Sequence, residues 1–296
     1  MLSPMMTHYL DTKKEYPDCI LFYRLGDFYE MFFEDAQTVS RELELTLTGK
    51  DCGLEERAPM CGVPYHAVEG YLNRLVKKGY KVAIAEQMED PKAAKGLVKR
   101  EVIRVVTPGT LTNSQVLEET KNNYLMSVVY MDNVFGLSAV DVSTGDFLVT
   151  EVKSERALMD EIFKFSPPDL VCNEAFCMSG IDFGELKERL GIVISSLESR
   201  FFSDEGCRGL LKEHFHVHHL DGLGLGDYGI GAIAAGAALK YLYETQKNSL
   251  THITRISPYM AGQFMMLDVS TRRNLELLET LREKQKRGTL LRVLDR

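Results

Sequence analysis

Between residues 124 and 152 three apolar runs follow one another, separated by two tight turns. The runs are Tyr124–Met131, residues 134–142 and Phe147–Val152, joined by Asp132-Asn133 and by Ser143-Thr144-Gly145-Asp146. Connections this short can join only antiparallel neighbours, because a parallel crossover needs a dozen residues or more. The stretch therefore predicts a β-meander. Helical periodicity over residues 156–165 and 229–246, with a short strand near residues 170–172, makes the surrounding unit α/β.

The preceding segment alternates elements as well. Ser3-Pro4 is a helix start, with Met5, Tyr9 and Leu10 opening an apolar stripe. Residues 20–25 read as a strand, Gly26-Asp27 as a turn, residues 28–33 as a second apolar run and residues 34–44 as a helix. Pro59, Gly62 and Pro64 punctuate a predicted loop. A helix over residues 65–78 then aligns Val68, Leu72, Leu75 and Val76, and strands at 81–85 and 102–106 lead to Thr107-Pro108-Gly109-Thr110. From Thr271 onward a charged amphipathic helix is expected, and the absence of a closing element before Arg296 suggests a third domain cut through.

A length of 296 residues at 45% hydrophobic and 26% charged suits about two globular domains. The formal charge of −8 argues against unspecific attraction to a polyanion, so a nucleic-acid partner needs a local basic surface. Residues 1–110 carry net −2, residues 111–252 net −10 and residues 253–296 net +4. Within residues 72–104 nine basic side chains stand against four acidic ones, which predicts a basic face there, whereas the acidic middle reads as a spacer or protein-binding module. Six cysteines without a C-x-x-C pair, and an N-terminus without an apolar signal run, suggest a reduced, cytoplasmic protein with no structural zinc or disulfide. The longest mostly apolar stretch, residues 228–242, is too short and too interrupted to span a membrane.

Four motifs could carry chemistry. Gly224-Leu225-Gly226-Asp227-Tyr228-Gly229 matches a dinucleotide fingerprint but falls late in its domain, where a flexible entry to a buried helix is the simpler reading. His214, His216 and His218 would share one face of a strand at a spacing compatible with zinc, without a second ligand cluster. Asp141, before the Ser143–Asp146 turn, is similar to the acidic residues that hold Mg²⁺ in RNase H-like nucleases, although hairpin turns favour aspartate for backbone reasons. Phe28 and Glu30 follow a turn and share one strand face, so an aromatic ring and a carboxylate are presented side by side. That pairing suits a wedge stacking on a nucleic-acid base; plain core packing is the alternative.

Longer stretches resemble the MutS family of DNA mismatch-recognition ATPases. They include the segment from Phe22 through Arg24-Leu25-Gly26-Asp27-Phe28-Tyr29-Glu30 to Phe32, residues 58–72, residues 82–87, Arg104 to Thr110 and Thr271 to Leu277, in order along essentially the whole chain. The family's Phe-x-Glu wedge falls on Phe28 and Glu30. The resemblance implies a mixed-sheet mismatch-binding domain over residues 1–110 and an RNase H-like connector over residues 111–245. The start of an all-α lever and core domain is implied over residues 246–296. It implies double-stranded DNA with mispairs or small unpaired loops as partner, MutL as a partner of the connector, and a homodimer in the full-length family. ATP and Mg²⁺ are implied only for the full-length family, at a nucleotide-binding domain beyond Arg296, so no cofactor and no catalytic activity are expected of this chain. Lys50 and Arg100 match positions where the family carries basic, DNA-side residues; Lys77 or Lys78 would join them on the DNA backbone, a solvated helix face being the alternative, and Met60 would brace the wedge or pack as a core methionine. The competing expectations are a metal-dependent nuclease or phosphotransferase around Asp141, or a mainly MutL-docking role.

Overall fold

The computed structural model describes residues 2–53, 55–89, 98–111, 122–262, 269–277, 280–283, 285 and 287–294. Strands β1 (Cys19–Leu25), β2 (Phe28–Phe32), β3 (Thr48–Lys50), β4 (Ala58–Pro64), β5 (Lys81–Gln87) and β6 (Arg100–Val106) form one sheet in the order β3-β4-β2-β1-β5-β6. Within it only β1 and β5 run parallel. Both faces of β1 are covered, which is why its sequence is a continuous apolar run instead of an alternating one. Leu21, Tyr23 and Phe32 pack under Met6 and Tyr9 of helix α1 (Pro4–Glu15). Phe22, Tyr29, Met31 and Val63 pack under α2 (Phe33–Leu43) and α3 (Val68–Lys77).

The predicted loop at Pro59, Gly62 and Pro64 is instead strand β4. Each proline lies where only one neighbour pairs with it: Pro59 opposite Gly49 of β3, Pro64 opposite Phe28 of β2. A missing N–H is tolerated at such half-paired positions.

The meander forms as expected, with β7 (Tyr124–Met131), β8 (Val134–Asp141) and β9 (Phe147–Val152) antiparallel. Parallel strands flank it, β10 (Asp169–Cys172) and β11 (Val193–Ser196) beyond β7 and the two-residue β12 (Ser257–Pro258) beyond β9. Helices α4 (Glu155–Phe165), α5 (Glu174–Cys177) and α6 (Phe183–Leu190) cover one face; α7 (Asp204–His214) and α8 (Gly229–Gln246) cover the other. Strand β11 and helices α5 and α6 are short and partly polar, and α7, as long as α4, buries only Cys207 and Leu211; none of the four was expected from the sequence.

The sheets meet at the end of α8. Lys247 Nζ donates to the Val102 carbonyl at 2.7 Å and to Tyr16 Oη at 2.9 Å, covering the edge strand β6. Gly109 lies so close to β10 that a Cβ there would fall 2.8 Å from Asp169 Cβ. The amphipathic helix expected from Thr271 is cut short: α9 (Val269–Asn274) ends before Leu275, which is 56% exposed, and α10 (Leu290–Leu294) is a single turn. Among the described residues no helix is long and apolar enough to cross a membrane, and all six cysteines are free thiols.

Candidate nucleic-acid interface

The β1–β2 hairpin turns on two residues, with Leu25 paired to Phe28. Gly26 takes φ +59°, which a glycine adopts freely and which matches the strand twist. The Asp27 carbonyl accepts from the Tyr65 N–H at 2.9 Å and ties the turn to the chain leaving β4. Alternation then divides β2. Tyr29 and Met31 are buried toward α2 and α3, Phe32 lies under α1, and Phe28 alone stays 46% exposed. Core packing therefore explains every aromatic of the segment except Phe28.

The register lines up further groups on the same face as that ring. Phe28, Glu30 and Phe32 pair with Pro64, Gly62 and Met60, while Thr48 pairs with Met60 and Lys50 with Ala58. Directly paired residues share a face, so Phe28, Glu30, Met60 and Lys50 stand on one surface across three strands. Lys50 Nζ lies 2.5 Å from Glu30 Oε2 and 5.7 Å from the centre of the Phe32 ring. Thr48 Oγ1 approaches Met60 Sδ at 3.8 Å and donates to the Met60 carbonyl. Gly62, facing Glu30 without a side chain, leaves room for the carboxylate; a Cβ there would touch Glu30 Cγ at 3.5 Å. The opposite side of the tip is braced by Arg24, stacked 4.0 Å from the Tyr65 ring centre and 3.5 Å from Glu86. Burial, together with the hydrogen-bonded Glu86 carboxylate, pushes the Tyr29 phenol well above its ordinary value, so the bond is donated by a neutral phenol.

Arg100 and Lys77 do not join this surface. Arg100 is 7% exposed, donates to the Arg24 and Val98 carbonyls at 2.8 and 2.7 Å, and stacks over Tyr23. A guanidinium so engaged supports the hairpin from within. Lys77 ends α3, four residues before Lys81, which pairs with Cys19 at the opposite end of β1 from Phe28. At roughly 3.3 Å per residue that strand separates the two ends by about 20 Å. Within the basic stretch of residues 72–104, Lys78, Lys81 and Lys99 pair with Glu42, Asp18 and Glu101, and Arg104 is half-buried. Lys92 and Lys95 lie outside the described residues. No site role was legible in the sequence for Gly62, Arg24, Tyr65 or Glu86, since only the register shows what they face.

The other motifs resolve into structural parts. Gly224 takes φ +72° at a turn, and the first amides of α8, those of Ile230 and Gly231, already donate to Glu151 Oε1 at 2.8 and 2.7 Å, so the helix start is occupied by a carboxylate. The histidines lie on no strand. His214 is in the last turn of α7, bonded to Tyr243 Oη and the Ile253 carbonyl, and His216 takes φ +54°. Asp141 is fully buried and accepts from the amides of Asn123 and Ser143 and from Ser143 Oγ. Among the described residues no group of three His, Cys, Asp or Glu side chains is arranged to hold a metal ion. A groove of about 940 Å³ beside α7 and α8 is lined by Arg200, Lys240, His214 and Glu244, whose charges and donors are satisfied locally.

Two mixed α/β lobes, one ending in a hairpin with an exposed aromatic beside a carboxylate, define a class of modular protein with a protruding aromatic tip. Comparison with known proteins gives the family. Residues 3–115 match MutS domain I and residues 123–254 match MutS domain II, so the chain belongs to the MutS family. It is 62% identical to the DNA mismatch repair protein MutS of Lachnoclostridium phytofermentans and 52% identical to that of Ruminiclostridium cellulolyticum. Both alignments cover 100% of this chain and 32% and 34% of those relatives. The chain thus spans about a third of the length of the curated relatives it matches.

Proposed function

We propose that this chain recognises mispaired or unpaired bases in double-stranded DNA by inserting Phe28 into the minor groove, with Glu30 as a hydrogen-bond acceptor for the displaced base. The observation that carries this reading is the half-exposed Phe28, beside Glu30 on the face shared with Lys50 and Met60, while its strand neighbours are rooted in two cores. Base stacking on an aromatic ring yields about 1–3 kcal/mol, and unstacking a base step costs a few kcal/mol. The sum is close to zero on matched DNA. A mispair lowers the cost, so selectivity follows without reading base identity. Met60 and Lys50 lie farther along the same face, beside Phe32 and Glu30, with Lys50 toward the DNA backbone.

Residues 1–110 would form the recognition domain, residues 111–245 an RNase H-like connector and residues 246–296 the start of a helical core. The connector would relay to the clamp and ATP-binding parts of a longer homodimeric protein, and its acidic surface would suit MutL. A nuclease role for Asp141 is disfavoured by its hydrogen bonds, which are spent on the turn. The test is a duplex carrying 2-aminopurine beside one unpaired T. Fluorescence should rise on adding the chain, as the neighbouring stack opens, and stay flat for matched DNA; equal traces would refute insertion.

A further inference from the structure

We propose that Glu30 and Lys50 form an exchangeable ion pair that couples base recognition to backbone contact. On matched DNA the Lys50 ammonium stays on Glu30. At a mispair a base N–H takes the carboxylate, and Lys50 passes to a phosphate. This rests on the wedge reading above and adds a role for its cation.

Among the described residues Lys50 is the only side chain recorded on the Glu30 carboxylate, at 2.5 Å. A carboxylate offers about four acceptor positions, and the Lys50 ammonium is recorded on one oxygen of it, Oε2. Lys50 is the more open partner, its side chain 32% exposed against 15% for Glu30. It ends the three-residue edge strand β3, which is held by β4 alone, so the lysine can swing without disturbing a core. Partly exposed ion pairs are weakly held and open to competition from another anion. A phosphate is such an anion. While Glu30 has no base to bind, loss of Lys50 would leave a bare carboxylate facing phosphates, so the pair stays closed on matched DNA. A donor from a displaced base removes that penalty.

The consequence is one extra phosphate neutralised in the mispaired complex. The log–log salt dependence of binding should then be steeper for mispaired than for matched duplex by about 0.9. Fluorescence anisotropy across a salt series, with a G·T duplex and its matched partner, measures both slopes. Lys50→Arg should keep the difference. Lys50→Met should abolish it with both slopes shallow, and Glu30→Gln should abolish it with both steep, since Lys50 is then free on either DNA. Circular dichroism checks that each variant is folded. Equal slopes for the unsubstituted chain, or a difference that survives Lys50→Met, overturn the exchange. If Phe28→Ala abolishes mispair preference while those slopes are equal, the wedge stands and only the exchange fails. If the unsubstituted chain shows no mispair preference, both fall.

Discussion

Replacing Asp141 by asparagine separates a structural carboxylate from a catalytic one. In the fold it accepts from Asn123 N at 2.9 Å, Ser143 N at 2.8 Å and Ser143 Oγ at 2.6 Å, at a fully buried position. The amide that replaces the carboxylate can supply one acceptor oxygen. If that oxygen keeps the Ser143 donors, its NH₂ group faces the Asn123 N–H, donor against donor. One charge-assisted bond is lost, worth about 1.5–3 kcal/mol, and a partly buried donor goes unpaired at about 1–3 kcal/mol. Relaxation recovers a share, so Asp141→Asn should cost about 2–4 kcal/mol in urea-induced unfolding, and Asp141→Ala no less. Binding of mispaired DNA under native conditions should be unchanged, and a duplex incubated with Mg²⁺ should stay intact with either protein. Unaltered stability of Asp141→Asn would refute the structural account; Mg²⁺-dependent cleavage lost in the variant would make Asp141 catalytic.

Other positions give sharper packing and pH tests. Asp169 is fully buried without a well-formed hydrogen bond to either carboxylate oxygen, and burial raises its pKa against the weaker opposing effect of the nearby Thr107 hydroxyl, Lys81 ammonium and Gly109 amide. A raised folded-state pKa means stability that is present at low pH and lost as pH rises through it, so Asp169→Asn should raise Tm near neutral pH and lose that advantage in acid; a lower Tm at every pH would contradict this. A Cβ at Gly236 would lie 2.3 Å from Cys207 Cβ and 2.8 Å from the Cys207 carbonyl, so Gly236→Val should force α7 from α8 at about 1–3 kcal/mol or more. Gly209→Ala, with open space around it on α7, should instead stabilise by about 0.5–1 kcal/mol; calorimetry ranks the pair. Glu30→Gln should reduce discrimination more than affinity, because a charge repelled by matched duplex is removed; equal loss on both duplexes would exclude that role.

The sequence revealed local order better than long-range pairing. The meander was legible because two-residue and four-residue turns leave no other topology for residues 124–152, and α8 because eighteen apolar-rich residues run from Gly229 to Gln246. Strand β4 was hidden by prolines that count as breakers in sequence yet sit at half-paired ladder positions. Phe28 and Glu30 could be identified together because a period of two is visible within five residues. Their link to Lys50 could not, since it crosses β4 and joins residues twenty apart in the chain. Arg100 misled for the same reason: a basic residue in a basic stretch looks solvent-facing until the fold shows two carbonyls and a tyrosine ring around it.

Binding of the unsubstituted chain and Phe28→Ala to a duplex with one unpaired T and to its matched partner, by fluorescence anisotropy, bears most directly on the wedge. Phe28 is 46% exposed and packs in none of the cores, so its truncation should leave unfolding within about 0.5 kcal/mol of the original. The account predicts that the original prefers the unpaired base and that Phe28→Ala, equally folded, binds both duplexes alike. A preference that persists without the ring would contradict it.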